Sequence, residues 1–252
     1  MNFSAIPNRT LLGRVLRFPL RLVPSRYPMP IMQGRLKGMR WIVGAGNHGC
    51  WLGSYEYDKR QLFERAVTPG SVVFDVGAHA GYYTLLASVL VGPRGHVVAF
   101  EPLKQNLAYL HEHLRLNRIG NVTVIDAAVS DAPGTASFRQ GPQTYTGRLE
   151  SDGDAIVRTV SLDQLTRAGE IPPPDLLKVD VEGSELRVLR GAQSILATAR
   201  PMIFLETHGA EMHQICSSLL ESLGYTFRPI GTKAPPRDLL AFPAERRQEV
   251  TV

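Results

Sequence analysis

The sequence predicts a doubly wound, mostly parallel α/β sheet with a basic N-terminal extension. Three observations predict it. From Val72 to Ile230, short apolar runs alternate with helical patterns, as successive βαβ units require. A glycine-rich turn, Gly77-Ala-His-Ala-Gly81, joins the first of these strands to its helix. Charge is also unevenly placed. Residues 1–60 carry ten Lys/Arg against Glu56 and Asp58, a net +8, so the remainder of a chain of net charge +5 carries −3.

A chain of 252 residues suits one α/β domain with an extension. The expected division is a basic arm and lead-in over 1–60 and a catalytic-type domain over 61–252. Hydrophobic residues at 44% and charged residues at 20% are ordinary for a globular protein. No apolar run approaches the ~20 residues of a membrane-spanning helix. Cys50 and Cys216 form neither a metal spacing nor a disulfide framework. These features together predict a cytoplasmic protein. A mildly acidic domain does not favour nucleic acid as a partner.

In the arm, Leu11, Leu12, Val15 and Leu16 follow helical spacing among arginines, and Pro19 ends the pattern. Such a helix packs on the chain's own core or on a second copy. Alternatively, residues 1–40 lie peripherally on an anionic membrane. The glycines at 44, 46, 49 and 53 suggest turns between short strands. A helix from Gln61 leads to the break at Thr68-Pro69-Gly70. Strands follow at 72–76, 96–100 and 122–125, with helices over 82–90 and 103–117. An antiparallel strand is expected at 135–138. The rest reads as a strand at 176–181, a helix at 184–197, a strand at 202–207, a helix at 211–223 and a last strand at 225–230.

The strand–loop–helix around Asp75, Gly77 and Gly81 is built for a ligand at a helix N-terminus. It departs from the dinucleotide pattern G-x-G-x-x-G: Asp75 replaces the first glycine, and the last two glycines are four apart. An acid at that entrance suits a cationic group, so S-adenosylmethionine fits better than NAD. Glu101 ends the second strand, 26 residues after Asp75, where an acid holds the hydroxyls of a ribose. Asp126, after the third strand, reads equally as an acceptor for an adenine amino group and as a solvent-facing loop residue. Lys178, Asp180 and Glu182 share strand parity, as do Glu206 and His208. Their charges at strand ends should converge on one crevice. His208 suits a general base by its ordinary pKa, and Asp180 serves as base or as its orienting partner. A divalent ion on Asp180, Glu206 and His208 is chemically allowed. No metal is assigned, because the same groups serve base and orienting roles without one.

The sequence resembles the FkbM-type methyltransferases. The matching segments are Phe74–Thr84, Ala99–Pro102, Asn121-Val122 with Ala127–Asp131, Asp175–Glu185, Val188–Ala192 and Glu206-Thr-His208. The resemblance implies a class I, Rossmann-like methyltransferase fold. It also implies methyl transfer from S-adenosylmethionine to a hydroxyl of a sugar, glycolipid or polyketide-type acceptor. It makes Asp75, Gly77, His79, Gly81, Thr84, Glu101, Asp126 and Ala127 cofactor residues. Asp180, Glu182, Glu206 and His208 become the catalytic set. His79 departs from the pattern, where Asn is commoner. Carboxyl or nitrogen acceptors, and a non-catalytic nucleotide-binding module of the same fold, are the competing readings.

Overall fold

The computed structural model describes residues 23–140, 147–149, 153, 155–231 and 237–246. The helix expected at residues 11–16 lies outside them. The lead-in contains a two-stranded antiparallel ribbon, β1 (Pro28–Pro30) with β2 (Arg40–Ile42). Two helices follow, α1 (His48–Leu52) and α2 (Tyr57–Ala66). This corrects the expectation of turns between strands and of a helix beginning only at Gln61. Asn47 makes the difference at α1: its side chain accepts from the Gly49 N–H at 2.8 Å, a helix cap read from sequence as part of a turn.

Next come β3 (Val72–Val76), α3 (Tyr82–Val91), β4 (His96–Phe100), α4 (Lys104–Leu116) and β5 (Val122–Ile125). Then follow β6 (Ala128–Val129), β7 (Gly134–Gln140), β8 (Gly147–Leu149), β9 (Ala155–Val160) and α5 (Leu162–Arg167). The chain continues through β10 (Leu176–Val179), α6 (Glu185–Arg190), α7 (Gln193–Thr198) and β11 (Met202–Glu206). Further along the described residues are α8 (Ala210–Ser222), β12 (Tyr225–Ile230) and β13 (Asp238–Pro243).

The main sheet has the order β12-β13-β11-β10-β3-β4-β5. Pairing from β5 to β11 is parallel, and β13 runs antiparallel to both β11 and β12. The strand at 225–230 is therefore not the last, and β13 separates it from β11. The expected strand at 135–138 is longer and belongs to a second sheet, β6-β9-β7-β8. The expected helix at 184–197 is two helices broken at Gly191, where a Cβ would lie 2.1 Å from the Ser130 carbonyl oxygen.

Alternation along the strands builds two cores. Val73, Val97, Ala99, Leu176 and Phe204 face one layer, with Leu85, Leu86, Leu110 and the lead-in residues Ile31, Trp41 and Phe63. Phe74, Val98, Phe100, Leu177 and Leu205 face the other, with Leu162, Val188, Leu196 and Leu220. The lead-in is fastened as well as buried. His113 of α4 is wholly buried, and its Nε2 accepts from the Ile42 N–H at 2.9 Å while its Nδ1 bonds the Ala80 carbonyl at 2.7 Å. Burial pushes its pKa down to about 4, so the ring is a neutral clamp between β2 and the glycine loop. Strand order reverses direction between β3 and β10, and open α/β sheets bind ligands at such a switch point, beyond the strand C-termini.

Candidate active site

A cavity of about 420 Å³ opens at that switch point, within the range of small-ligand sites. Gly77, Ala78 and His79 form its floor, and Glu101 and Asn106 line one wall. Lys178, Asp180 and Glu182 line another. The lead-in supplies Trp41, Asn47, Cys50 and Tyr55, and the second sheet supplies Val129 and Phe138.

The loop glycines are required, though their close neighbours are protein. Gly77 has φ +78°, and a Cβ there would fall 1.9 Å from the Asp180 carbonyl oxygen. Gly81 has φ +91° and abuts the Leu110 side chain. The loop is thus pressed against β10 on one side and α4 on the other. His79 adopts φ +53°, and its N–H donates to Glu101 Oε2 at 2.8 Å. Glu101 also accepts from the Leu103 N–H at 2.9 Å and from Asn106 Nδ2 at 3.2 Å. Burial pushes its carboxyl up to about 7, against the pull of those three bonds.

Asp75 lies elsewhere than expected. It is 1% exposed and does not line the cavity. Its Oδ2 accepts from Thr84 at 2.6 Å, and its Oδ1 lies 3.3 Å from Lys178 Nζ. The cation it neutralises in this structure is Lys178, and Thr84 and Gly81 likewise stand behind the cavity wall. Asp126 is exposed and outside the lining, whereas Ala127 is buried within it.

The five charged residues expected to converge, Lys178, Asp180, Glu182, Glu206 and His208, do so. His208 Nδ1 lies 2.7 Å from Glu185 Oε1, and its Nε2 lies 3.2 Å from Glu182 Oε2 and 3.9 Å from Glu206 Oε1. One expectation is corrected. Burial depresses the imidazole, but the Glu185 bond and the charges of Glu182, Glu185 and Asp180 outweigh it and raise its pKa to about 9. At neutral pH it holds a proton and is no base.

Two groups at this mouth, Glu185 and Lys59, are absent from the set expected there, and Lys178, which strand parity placed with Asp180 and Glu182, is central to its charge balance. Glu185 is wholly buried and fixes His208. Lys178, also buried, sits between Asp75 and Asp180 and lies 5.1 Å over the Tyr83 ring. Lys59 reaches Glu56 at 3.3 Å, Glu206 at 2.5 Å and Asp238 at 2.7 Å. Counting it with a basic arm hid this role. Burial opposes both ammonium charges, but the surrounding carboxylates hold them protonated above the ordinary lysine range. Lys178, Lys59 and His208 together outweigh burial and keep Asp180 ionised below its usual pKa. Glu182 and Glu206 are raised, chiefly by burial and then by neighbouring acids.

A mostly parallel sheet of this order, with a glycine loop after one strand and an acid ending the next, defines a class I methyltransferase. The methyltransferase FkbM domain matches residues 75–227. That is more than half the chain, and the chain belongs to this family. It is an S-adenosylmethionine-dependent methyltransferase.

Among its relatives is the hexuronic acid methyltransferase AglP of Haloferax volcanii, 29% identical over 170 residues, covering 66% of this chain and 69% of that one. The 31-O-demethyl-FK506 methyltransferase FkbM of Streptomyces tacrolimicus is 33% identical over 159 residues, covering 50% of this chain and 60% of that one. A solved FkbM methyltransferase from Methylobacillus flagellatus shares the fold at a TM-score of 0.52 and 19% identity, over 68% of this chain and 43% of that one.

The cavity fits the donor's chemistry. S-adenosylmethionine carries a ribose diol, an ammonium and a sulfonium, and supplies an electrophilic methyl group when bound. The lining offers a donor-held acid, Glu101, on one wall and the ionised Asp180 on another.

Proposed function

We propose that this chain methylates a hydroxyl oxygen of a sugar, glycolipid or polyketide-type acceptor. The observation carrying this reading is the acidic mouth facing the cavity from the ends of β10 and β11. In the reading, Glu101 holds the ribose, with Gly77, His79 and Ala127 shaping its surroundings. Asp75 and Thr84 act from behind, by holding Lys178 and the loop. Asp180 faces the donor's positive charge.

Glu182 takes the hydroxyl proton. It lines the cavity, is about half exposed and so can pass the proton to water. Its raised pKa makes it a better acceptor than Asp180. It is also held at φ +53°, a conformation that costs a non-glycine residue energy and often marks a functional site. As the C–O bond forms, the hydroxyl becomes strongly acidic, so a carboxylate suffices as base. His208, already protonated, holds Glu182 in place. The name of the haloarchaeal relative raises a carboxylate acceptor. A mouth crowded with Asp180, Glu182 and Glu206 repels an anionic acceptor, which favours a neutral hydroxyl.

The test is incubation with labelled S-adenosylmethionine and sugar, glycolipid and polyketide extracts, then analysis of the labelled product. An alkali-stable ether is expected, and an alkali-labile ester or an N-methyl product overturns the acceptor. Glu182→Gln should lower kcat by ~10²–10⁴ with donor affinity kept. Near-normal turnover removes Glu182 as the base.

A further inference from the structure

We propose that Asp180, Glu206 and His208 form a binding site for a single divalent cation of the Mn²⁺ type. The inference deepens the reading of this mouth as the acceptor end, and its test is independent of any acceptor.

The ligand atoms of the three residues all lie within 4.8 Å of one another, a spacing that small shifts close around one ion. The neighbouring lysines leave this arrangement in place. Lys59 contacts Glu206 through Oε2, while Oε1 is the oxygen nearest His208 Nε2. Lys178 contacts Asp180 through Oδ2.

A separate observation concerns the far side of the imidazole. Glu185 is outside the ligand set and is wholly buried. Its Oε1 accepts from the Gly183 N–H at 2.8 Å and bonds His208 Nδ1 at 2.7 Å, and its Oε2 meets no hydrogen-bond donor among the described residues. A buried carboxylate with one unanswered oxygen needs positive charge close by. His208 is the ionisable partner in contact with it, so the imidazole has to carry that charge, as a proton or as a metal ion on Nε2. A carboxylate behind the ring, fixing its tautomer and leaving the other nitrogen outward, is the usual support for a metal-ligating histidine.

Nε2 faces oxygen atoms of Glu182 and Glu206. One imidazole with two or three carboxylates suits a hard to borderline ion of the Mn²⁺ or Mg²⁺ kind, and lacks the thiolates a softer ion prefers. An ion on Nε2 would displace the proton that His208 otherwise holds there, and would take over from it in facing Glu182. Glu182 then stands beside the site as proton acceptor, with an acceptor oxygen held next to it by the ion.

The test uses the full chain, stripped with a chelator and titrated with Mn²⁺, following the electron paramagnetic resonance of free Mn²⁺. One equivalent should be taken up. His208→Ala should abolish saturable uptake, and Glu185→Gln should weaken it by ~10–100-fold. S-adenosylhomocysteine affinity, measured on the same samples, should be unchanged in both variants, which establishes that the fold is intact. No uptake by the wild type means that a proton alone supplies the charge, and it overturns the site. Equal uptake by wild type and both variants overturns it as well. Loss of S-adenosylhomocysteine binding by the wild type would strike the methyltransfer reading and leave the metal result standing.

Discussion

The two ends of the cavity treat their charges differently. At the β3–β4 end each acid has a donor of its own: Thr84 for Asp75, which shares Lys178 with Asp180, and His79, Leu103 and Asn106 for Glu101. At the β10–β11 end, acids crowd one another. Glu182 and Glu206 are pushed up by burial and by neighbouring acids, and the cations Lys59, Lys178 and His208 are shared among them. A binding end needs one settled arrangement. A reacting end gains from charge that is only partly compensated, because a developing positive centre then finds an environment already arranged for it. The two ends touch where Gly77 presses on the Asp180 carbonyl, so the donor-side loop and the mouth are positioned together.

The largest expected break in this contrast is at Lys59. Lys59→Met leaves Glu56, Glu206 and Asp238 facing one another around an apolar group. Removing one partner from a buried ion-pair cluster costs about 3–5 kcal/mol. The lower figure is expected here, because the three acids keep some solvent contact. Chemical denaturation should show the loss. S-adenosylhomocysteine affinity should change little, since the other end keeps its own donors. A loss below about 1 kcal/mol, or an equal collapse of ligand binding, would mean that the two ends are not separately held.

The central sheet was legible in the sequence for a physical reason. Strands 72–76, 96–100 and 122–125 are buried on both faces or ordered by parallel neighbours, and their patterns are local. The glycine loop and Glu101 were legible because spacing along the chain carries them. What escaped depends on distant contacts. β13 inserts antiparallel between β11 and β12, and no local pattern announces an insertion. Gly191 breaks a helix because Ser130, some sixty residues away in sequence, lies against it. Lys59 belongs to a stretch whose charges looked like one basic arm, and only the fold sets it among acids contributed by β11 and β13. His208 was placed correctly, but its protonation was misjudged because Glu185, which bonds it, sits 23 residues earlier in the chain.

Glu101 breaks the other end, with a smaller effect. Glu101→Ala removes the proposed ribose acceptor and also leaves the N–H groups of His79 and Leu103 without their carboxylate. Losing charge-assisted contacts of this kind costs on the order of 1.5–3 kcal/mol, or roughly ten- to hundredfold in S-adenosylhomocysteine affinity by calorimetry. Stability should also fall, by about 1–3 kcal/mol, because the freed N–H groups lose their acceptor. Unchanged affinity would remove Glu101 from the binding end.

The smallest effect sharpens the contrast through pH. Burial is the main reason that Glu101 stands near 7 rather than 4.5; the bonds from Leu103, Asn106 and His79 oppose it, and the charge of Asp75 adds to it. Its folded pKa is therefore raised, so its own contribution to stability is present below the ordinary value and lost as pH rises through about 7. Ligand binding runs the other way. In the proposed pose two ribose hydroxyls would donate to an ionised carboxylate, and the proton would have to leave before they did. Between pH 6 and pH 8 the ionised fraction of a group with this pKa rises about tenfold, and S-adenosylhomocysteine affinity should rise by up to the same factor. Glu101→Gln cannot ionise and should show a flat profile at weaker affinity. Calorimetry at three pH values with both proteins decides the matter. A flat profile in the wild type would show that Glu101 is already ionised, and so as settled in charge as it is in hydrogen bonding. A rise that persists in Glu101→Gln would move the titrating group away from the ribose end and toward the mouth.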